Sequence, residues 1–155
     1  MAAVTSTLSD EARKVTGDAL QGALVDLIDL SLSAKQAHWN LIGPHFRSLH
    51  LQLDDVVDIA RKHMDVVAER AVAIGVNPDG RAETVATSAH LKQLPDGYVK
   101  DSDVIEFFTD LLAEIVHRFR DRVRDTDEPD PVTQDLLIAA AQDLEQQHWM
   151  IQAQK

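Results

Sequence analysis

Residues 38–50 read HWNLIGPHFRSLH, with a histidine at each end and a Gly-Pro break in the middle. Gly43 and Pro44 stop a helix arriving from the N-terminal side, and Pro44 can sit in the first turn of the helix that follows, where a missing N–H costs little. Helical periodicity runs away from the break on both sides. Upstream, Leu20, Leu24, Leu27, Ser31, Ala34 and His38 recur in alternating steps of four and three, the inner stripe of a helix A that starts between Ser9 and Thr16 and reaches about Leu41. Downstream, Leu49, Leu53, Val56, Val57, Ala60, Met64, Val67 and Ala71 form the stripe of a helix B over about 44–74, closed by Gly75. The two helices therefore form an antiparallel pair folded at Gly43.

The remaining chain follows the same period. A long connector runs to about Asp101, and RAETVATSAHLK (81–92) within it can form a short helix. Helix C starts near Ser102 and carries Val104, Phe107, Phe108, Leu111, Leu112, Ile115, Phe119 and Val123 inward, before DTDEPDP (125–131) ends it. Helix D has Asp130 as N-cap and Pro131 at its first position, and continues to about Gln152. Two short turns and one long crossover describe an all-α, ferritin-like four-helix bundle. The expected organisation is a single domain over 1–155, with about 1–12 as a flexible tail.

Composition supports that class. The 155 residues are 45% hydrophobic, with only six glycines and five prolines, as in a globular chain that buries a real core. No apolar run approaches a membrane span, and the first residues lack a basic then apolar secretory pattern, so a cytoplasmic location is expected. With no cysteine, any metal must be held by His, Asp and Glu. The formal net charge of −11 opposes a general affinity for nucleic acid or anionic membranes.

His38 lies five residues before Gly43 and His50 seven after it, so across the turn the two imidazoles are roughly level. On helix B, His50 and Asp54 are four apart, as are Asp65 and Glu69, and all four share one edge. Fifteen residues separate His50 from Asp65, about 22 Å of helix, too far for one metal ion with bonds of about 2 Å. A second copy packed antiparallel across a two-fold axis would bring His38, His50 and Asp54 of one chain to Asp65 and Glu69 of the other, giving two equivalent sites. Imidazole with carboxylate and no sulfur suits iron, zinc or manganese, and the richness in carboxylate leans toward iron or manganese. The competing structural reading makes the histidines hydrogen-bonded wall residues, and the acids a solvated face paired with Arg61 and Arg70.

The stretch KQAHWNLIGPHFRSLHLQLDDVVDIARKHMDVVAER (35–70) resembles the signature of the Dps family, the DNA-binding proteins from starved cells or mini-ferritins. K-Q-x-H-W-N, F-x-x-L-H-x-x-L-D and D-x-x-A-E-R are all present, and PDGRAETVA and DPVTQDLL resemble the family's connector and its turn between the last two helices. The resemblance implies a hollow dodecamer that oxidises Fe(II), preferably with hydrogen peroxide, at a mono-iron or di-iron centre shared across a two-fold interface, and stores a ferric core inside. It implies His38, His50 and Asp54 as ligands from one subunit and Asp65 and Glu69 from its mate. Trp39 would sit beside the iron and take up oxidising equivalents, whereas Lys35 and Asn40 read as structural partners. Removing Fe(II) and peroxide together would protect the cell from oxidative damage.

The acidic turn reads as an exposed loop with a cap, or, by resemblance, as the lining of a three-fold iron-entry pore with Asp130, Asp135, Asp127 and Glu128. DNA binding is not expected: no Lys or Arg precedes Arg13, the last ten residues hold one lysine, and twelve copies would multiply the negative charge twelvefold. A DNA-compacting or structural shell with weak ferroxidase activity is the alternative. Glu114-x-x-His117 and Glu145-x-x-His148 fit the motif of a di-iron site inside one bundle, but His117 points away from the apolar stripe and the other helices lack inward glutamates.

Overall fold

A computed structural model describes residues 4–155, and the part of the expected tail that falls on 1–3 lies outside the described residues. Five helices occur in the order α1 (Asp10–Asn40), α2 (Phe46–Ala73), α3 (Ala82–Ser88), α4 (Asp101–Asp125) and α5 (Pro131–Gln152). The long four form the bundle, and α3 sits in the crossover between α2 and α4. α1 starts within the stretch expected as a tail, because the Ser9 hydroxyl accepts the N–H of Ala12 at 3.2 Å and caps it.

Local sequence accounts for two of these helix limits. Gly75, at φ 77°, closes α2 with its N–H on Val72 and the Val76 N–H on Ala71, a Schellman-type stop that few side chains tolerate. Asp130 caps α5 through the N–H of Val132, with Pro131 in the first turn. α2 begins two residues later than expected: Pro44 and His45 stay in the turn, and the His45 N–H goes to the Asp101 carboxylate at 2.8 Å. Two short strands that periodicity does not announce, β1 (Leu41–Ile42) and β2 (Val99–Lys100), pair in parallel, Leu41 with Val99 and Ile42 with Lys100. They tie the turn between α1 and α2 to the start of α4.

The core runs along the bundle axis, with Leu27, Leu53, Phe108, Leu112, Phe119 and Leu144 fully buried. The predicted stripes are the buried ones, except that Met64 and Val123 are half-buried. Among the described residues, no helix is long and apolar enough to cross a membrane.

Candidate metal centre

The turn brings His38 and His50 into face-to-face contact, their ring centres 3.6 Å apart and their planes 18° from parallel. Each ring is fixed by the other residue's backbone. The Nδ1–H of His38 donates to the carbonyl of His50 at 2.7 Å, and the Nδ1–H of His50 to the carbonyl of His38 at 2.8 Å. A carbonyl only accepts, so both Nδ1 atoms carry hydrogen, and in the neutral ring the lone pair lies on Nε2. This is the arrangement that orients metal-binding imidazoles in general: one nitrogen held by an acceptor, the other free to bind. Phe46 stacks on the outer face of His50 with centroids 4.9 Å apart.

Asp54 stands beside the histidine pair. Its Oδ1 lies 3.4 Å from the Nδ1 of His38 and 2.5 Å from the ammonium of Lys35. The hydrogen bond from Lys35 holds the Asp54 carboxyl below the usual carboxylate range, and the neighbouring His38 and His50 act in the same direction. Lys35 is thus the counter-cation of Asp54. Asn40 bonds back to the carbonyl of Gln36 and serves its own helix.

Asp65 and Glu69 lie farther along α2, exposed, and among the described residues neither has an ion-pair or hydrogen-bond partner. Arg70, one of the cations offered to them by the solvated-face reading, turns instead to Asp130 at 2.7 Å and Thr133 at 3.0 Å. Among the described residues, no three His, Asp or Glu side chains converge on one point. The two halves of the expected ligand set thus stand apart on one chain.

Trp39 is 67% exposed on the stripe next to His38, and Leu32, seven residues earlier on the same face, is 58% exposed. The acidic turn divides. Asp127, Glu128 and Asp135 face solvent, whereas Asp130 is buried. Its carboxylate accepts from Arg70, Thr133 and the Val132 N–H, so it is spent on holding the turn. Burial raises the Asp130 carboxyl, but the hydrogen bonds from Arg70 and Thr133 outweigh it and the net displacement is downward.

The rival motif inside one bundle does not assemble. Glu114 pairs with Arg118 on its own helix, Glu145 with Arg120, and His117 is exposed. One buried histidine outside every motif is His63, whose Nε2 lies 2.7 Å from Asp143. Its signal was available: it falls between Ala60 and Val67 at steps of three and four on the inner stripe of α2.

Residues 17–155 match the model of the ferritin-like domain. The chain is 34% identical over 147 residues to the DNA protection during starvation protein of Agrobacterium fabrum, covering 94% of this chain and 91% of that one. The chain belongs to the Dps family. It is also 37% identical over 143 residues to DNA protection during starvation protein 2 of Deinococcus radiodurans, covering 92% of this chain but only 59% of that relative's length. Among solved structures, Dps from Microbacterium arborescens in the high iron form superposes with a TM-score of 0.91 at 27% identity, covering 98% of each chain. Mycobacterium smegmatis Dps superposes with a TM-score of 0.93 at 28% identity, covering 99% of this chain and 93% of that one. The superpositions run nearly end to end, so this chain shares the fold of these Dps structures.

Proposed function

We propose that this chain is a ferroxidase and iron-storage subunit: it oxidises Fe(II), preferably with hydrogen peroxide, at sites shared between two copies, and retains the ferric product inside a closed shell, a dodecamer in this reading. The observation that carries the proposal is the reciprocal locking of His38 and His50. Both rings are held in the tautomer that leaves Nε2 for a metal ion, beside the Asp54 carboxylate. Two exposed acids of matching chemistry, Asp65 and Glu69, without partners among the described residues, stand more than four helical turns beyond His50, where only a second chain can bring them to the histidines. Exposed Trp39 and Leu32 supply apolar surface beside the pair, as a contact between copies requires.

Iron is here the substrate. Two imidazole nitrogens and three carboxylates would bind Fe(II) and favour Fe(III) more strongly, since harder oxygen ligands prefer the higher charge. Two Fe(II) ions supply the two electrons that reduce one peroxide to water, so neither reactant is left to make hydroxyl radical. Lys35 balances the charge of Asp54 before iron arrives, and it occupies only Oδ1, so the second carboxylate oxygen remains for a metal ion. Trp39 would intercept stray oxidising equivalents. For iron entry, the exposed Asp127, Glu128 and Asp135 remain as the acidic lining that three copies would present together, with Asp130 holding the turn behind them.

The relatives' names speak of DNA protection, and the net charge of −11 favours protection through iron and peroxide removal over phosphate binding. Anaerobic Fe(II) oxidation after a small addition of peroxide, compared between the native protein and His50→Ala, tests the proposal. Rapid oxidation lost in the variant supports it. Equal rates in both proteins would remove the histidine pair from the chemistry.

A further inference from the structure

The stacking of His38 on His50 depends on the five-residue turn that joins their helices, and that turn is built around a residue of a different helix. Asp101 opens α4, is 6% exposed, and reaches into the turn. Its Oδ2 accepts the backbone N–H of His45 at 2.8 Å and faces the His45 ring Nδ1 at 3.0 Å, while its Oδ1 accepts the N–H of Ser102 at 2.9 Å. Gly43 makes room for it. At φ 136° this glycine takes a conformation that side chains avoid, and a β-carbon there would run into the Asp101 carboxylate. The same carboxyl is held below the usual range, first by the His45 backbone hydrogen bond.

A shift at this point has a short path to the histidines. His45 is the residue before α2, Phe46 is its first residue and packs on the His50 ring, and His50 follows one turn later. On the other side, Leu41 and Ile42 leave α1 within a few residues of His38 and are paired to Val99 and Lys100, immediately before Asp101. Two hydrogen bonds of 2.7 and 2.8 Å between the histidines, each ring to the other's carbonyl, leave little tolerance for sliding of α1 against α2.

We propose that Asp101 is a positioning residue for the His38–His50 pair: it fixes the start of α2 relative to the end of α1, and so sets the register in which both rings present Nε2 to a metal ion. The inference rests on the reading of that pair as an iron site. An aspartate that only stabilised the helix N-terminus would affect melting and nothing else.

The test uses the full-length assembled protein, with cobalt(II) as an optical probe of the histidine pair. Asp101→Ala is expected to weaken cobalt binding about tenfold, the size usual for lost outer-shell support of a metal ligand. Asp101→Asn, whose amide oxygen still accepts the His45 N–H, is expected to recover most of the affinity. Phe119→Leu, a core change near the far end of α4, serves as a control that lowers melting without changing cobalt affinity. In metal-free crystals of Asp101→Ala the ring separation should widen from 3.6 Å. If Asp101→Ala does not assemble, Asp101→Ser, polar but too short to reach His45, is read on the same scale. An affinity within about twofold of wild type in a protein that binds cobalt would overturn the proposal. If the wild type binds no cobalt, the iron reading fails, and the ring geometry in the variant crystals still decides the positioning role.

Discussion

Two variants, each stripped of one half of the ligand set, should rebuild a working site only when they assemble together. The first variant carries His38→Ala and His50→Ala, the second Asp65→Ala and Glu69→Ala. Alone, each forms symmetric pairs in which every site lacks either its imidazoles or its distal acids. Mixed at equal amounts with random pairing, half of the pairs contain one chain of each kind. In such a pair one site draws its histidines from the first variant and its acids from the second, and is doubly empty. The other draws both halves intact. One of two sites survives in half of the pairs, so about a quarter of all sites return. The distance behind this arithmetic is the roughly 22 Å of helix between His50 and Asp65, which no single metal ion spans. The assay is the initial rate of peroxide-driven Fe(II) oxidation in co-expressed, co-purified shells, against the two separate variants and the native protein. Recovery near a quarter of the native rate supports a shared site. Co-assembled shells that remain as inactive as the separate variants would refute the reasoning, because the halves would then not meet across copies.

Other expectations follow from individual contacts. Asp130→Asn keeps a competent N-cap but loses the charged partner of Arg70, and should cost about 1–2 kcal/mol, discounted because Arg70 is partly exposed; Asp130→Ala should cost about 1 kcal/mol more for the cap. The Asp130 carboxyl is lowered on folding, so this stability is complete above its unfolded value near 4 and disappears as pH falls through the lower folded value. Thermal melts of native and Asp130→Asn protein should therefore differ at neutral pH and converge below about pH 4; a gap independent of pH would exclude the ion pair as its source. Trp39→Phe should leave Fe(II) oxidation intact while raising the yield of spin-trapped hydroxyl radical; an unchanged yield would make Trp39 an interface residue alone. Phe108→Ala, at a fully buried position, should cost about 3–5 kcal/mol, measured by denaturant unfolding.

The bundle could be read from the chain because its information is local. Steps of three and four mark the inward stripes, and Gly43, Gly75 and the Asp130-Pro131 pair mark where helices stop and start, as observed. The parallel bridge of β1 and β2 and the clamp by Asp101 escaped this reading for a definite reason. Each joins residues more than fifty positions apart, and neither a two-residue strand nor a single aspartate leaves a periodic trace. Pro44, a good first residue for a helix, stays in the turn, where the N–H of His45 goes to Asp101 and that of Phe46 to the Gly43 carbonyl.

The candidate site rests on contacts as well as on spacing. Periodicity placed His38 level with His50, and the structure adds what no spacing contains: each ring donates to the other's backbone, which fixes the tautomer. Asp130 shows where composition misleads. Its acidic neighbours suggested a residue facing cations, but a carboxylate with an N-cap duty, a threonine and an arginine within hydrogen-bond reach is already neutralised inside the fold. Asp65 and Glu69 are exposed and, like Asp55 and Asp58 on the same helix, have no partner among the described residues. Glu114 pairs with Arg118 one turn on, whereas Arg70 is drawn off to Asp130 and leaves Glu69 unpaired. Holding two carboxylates free at the surface, on the same edge as an oriented histidine pair, is what a site completed by a second copy demands of a single chain.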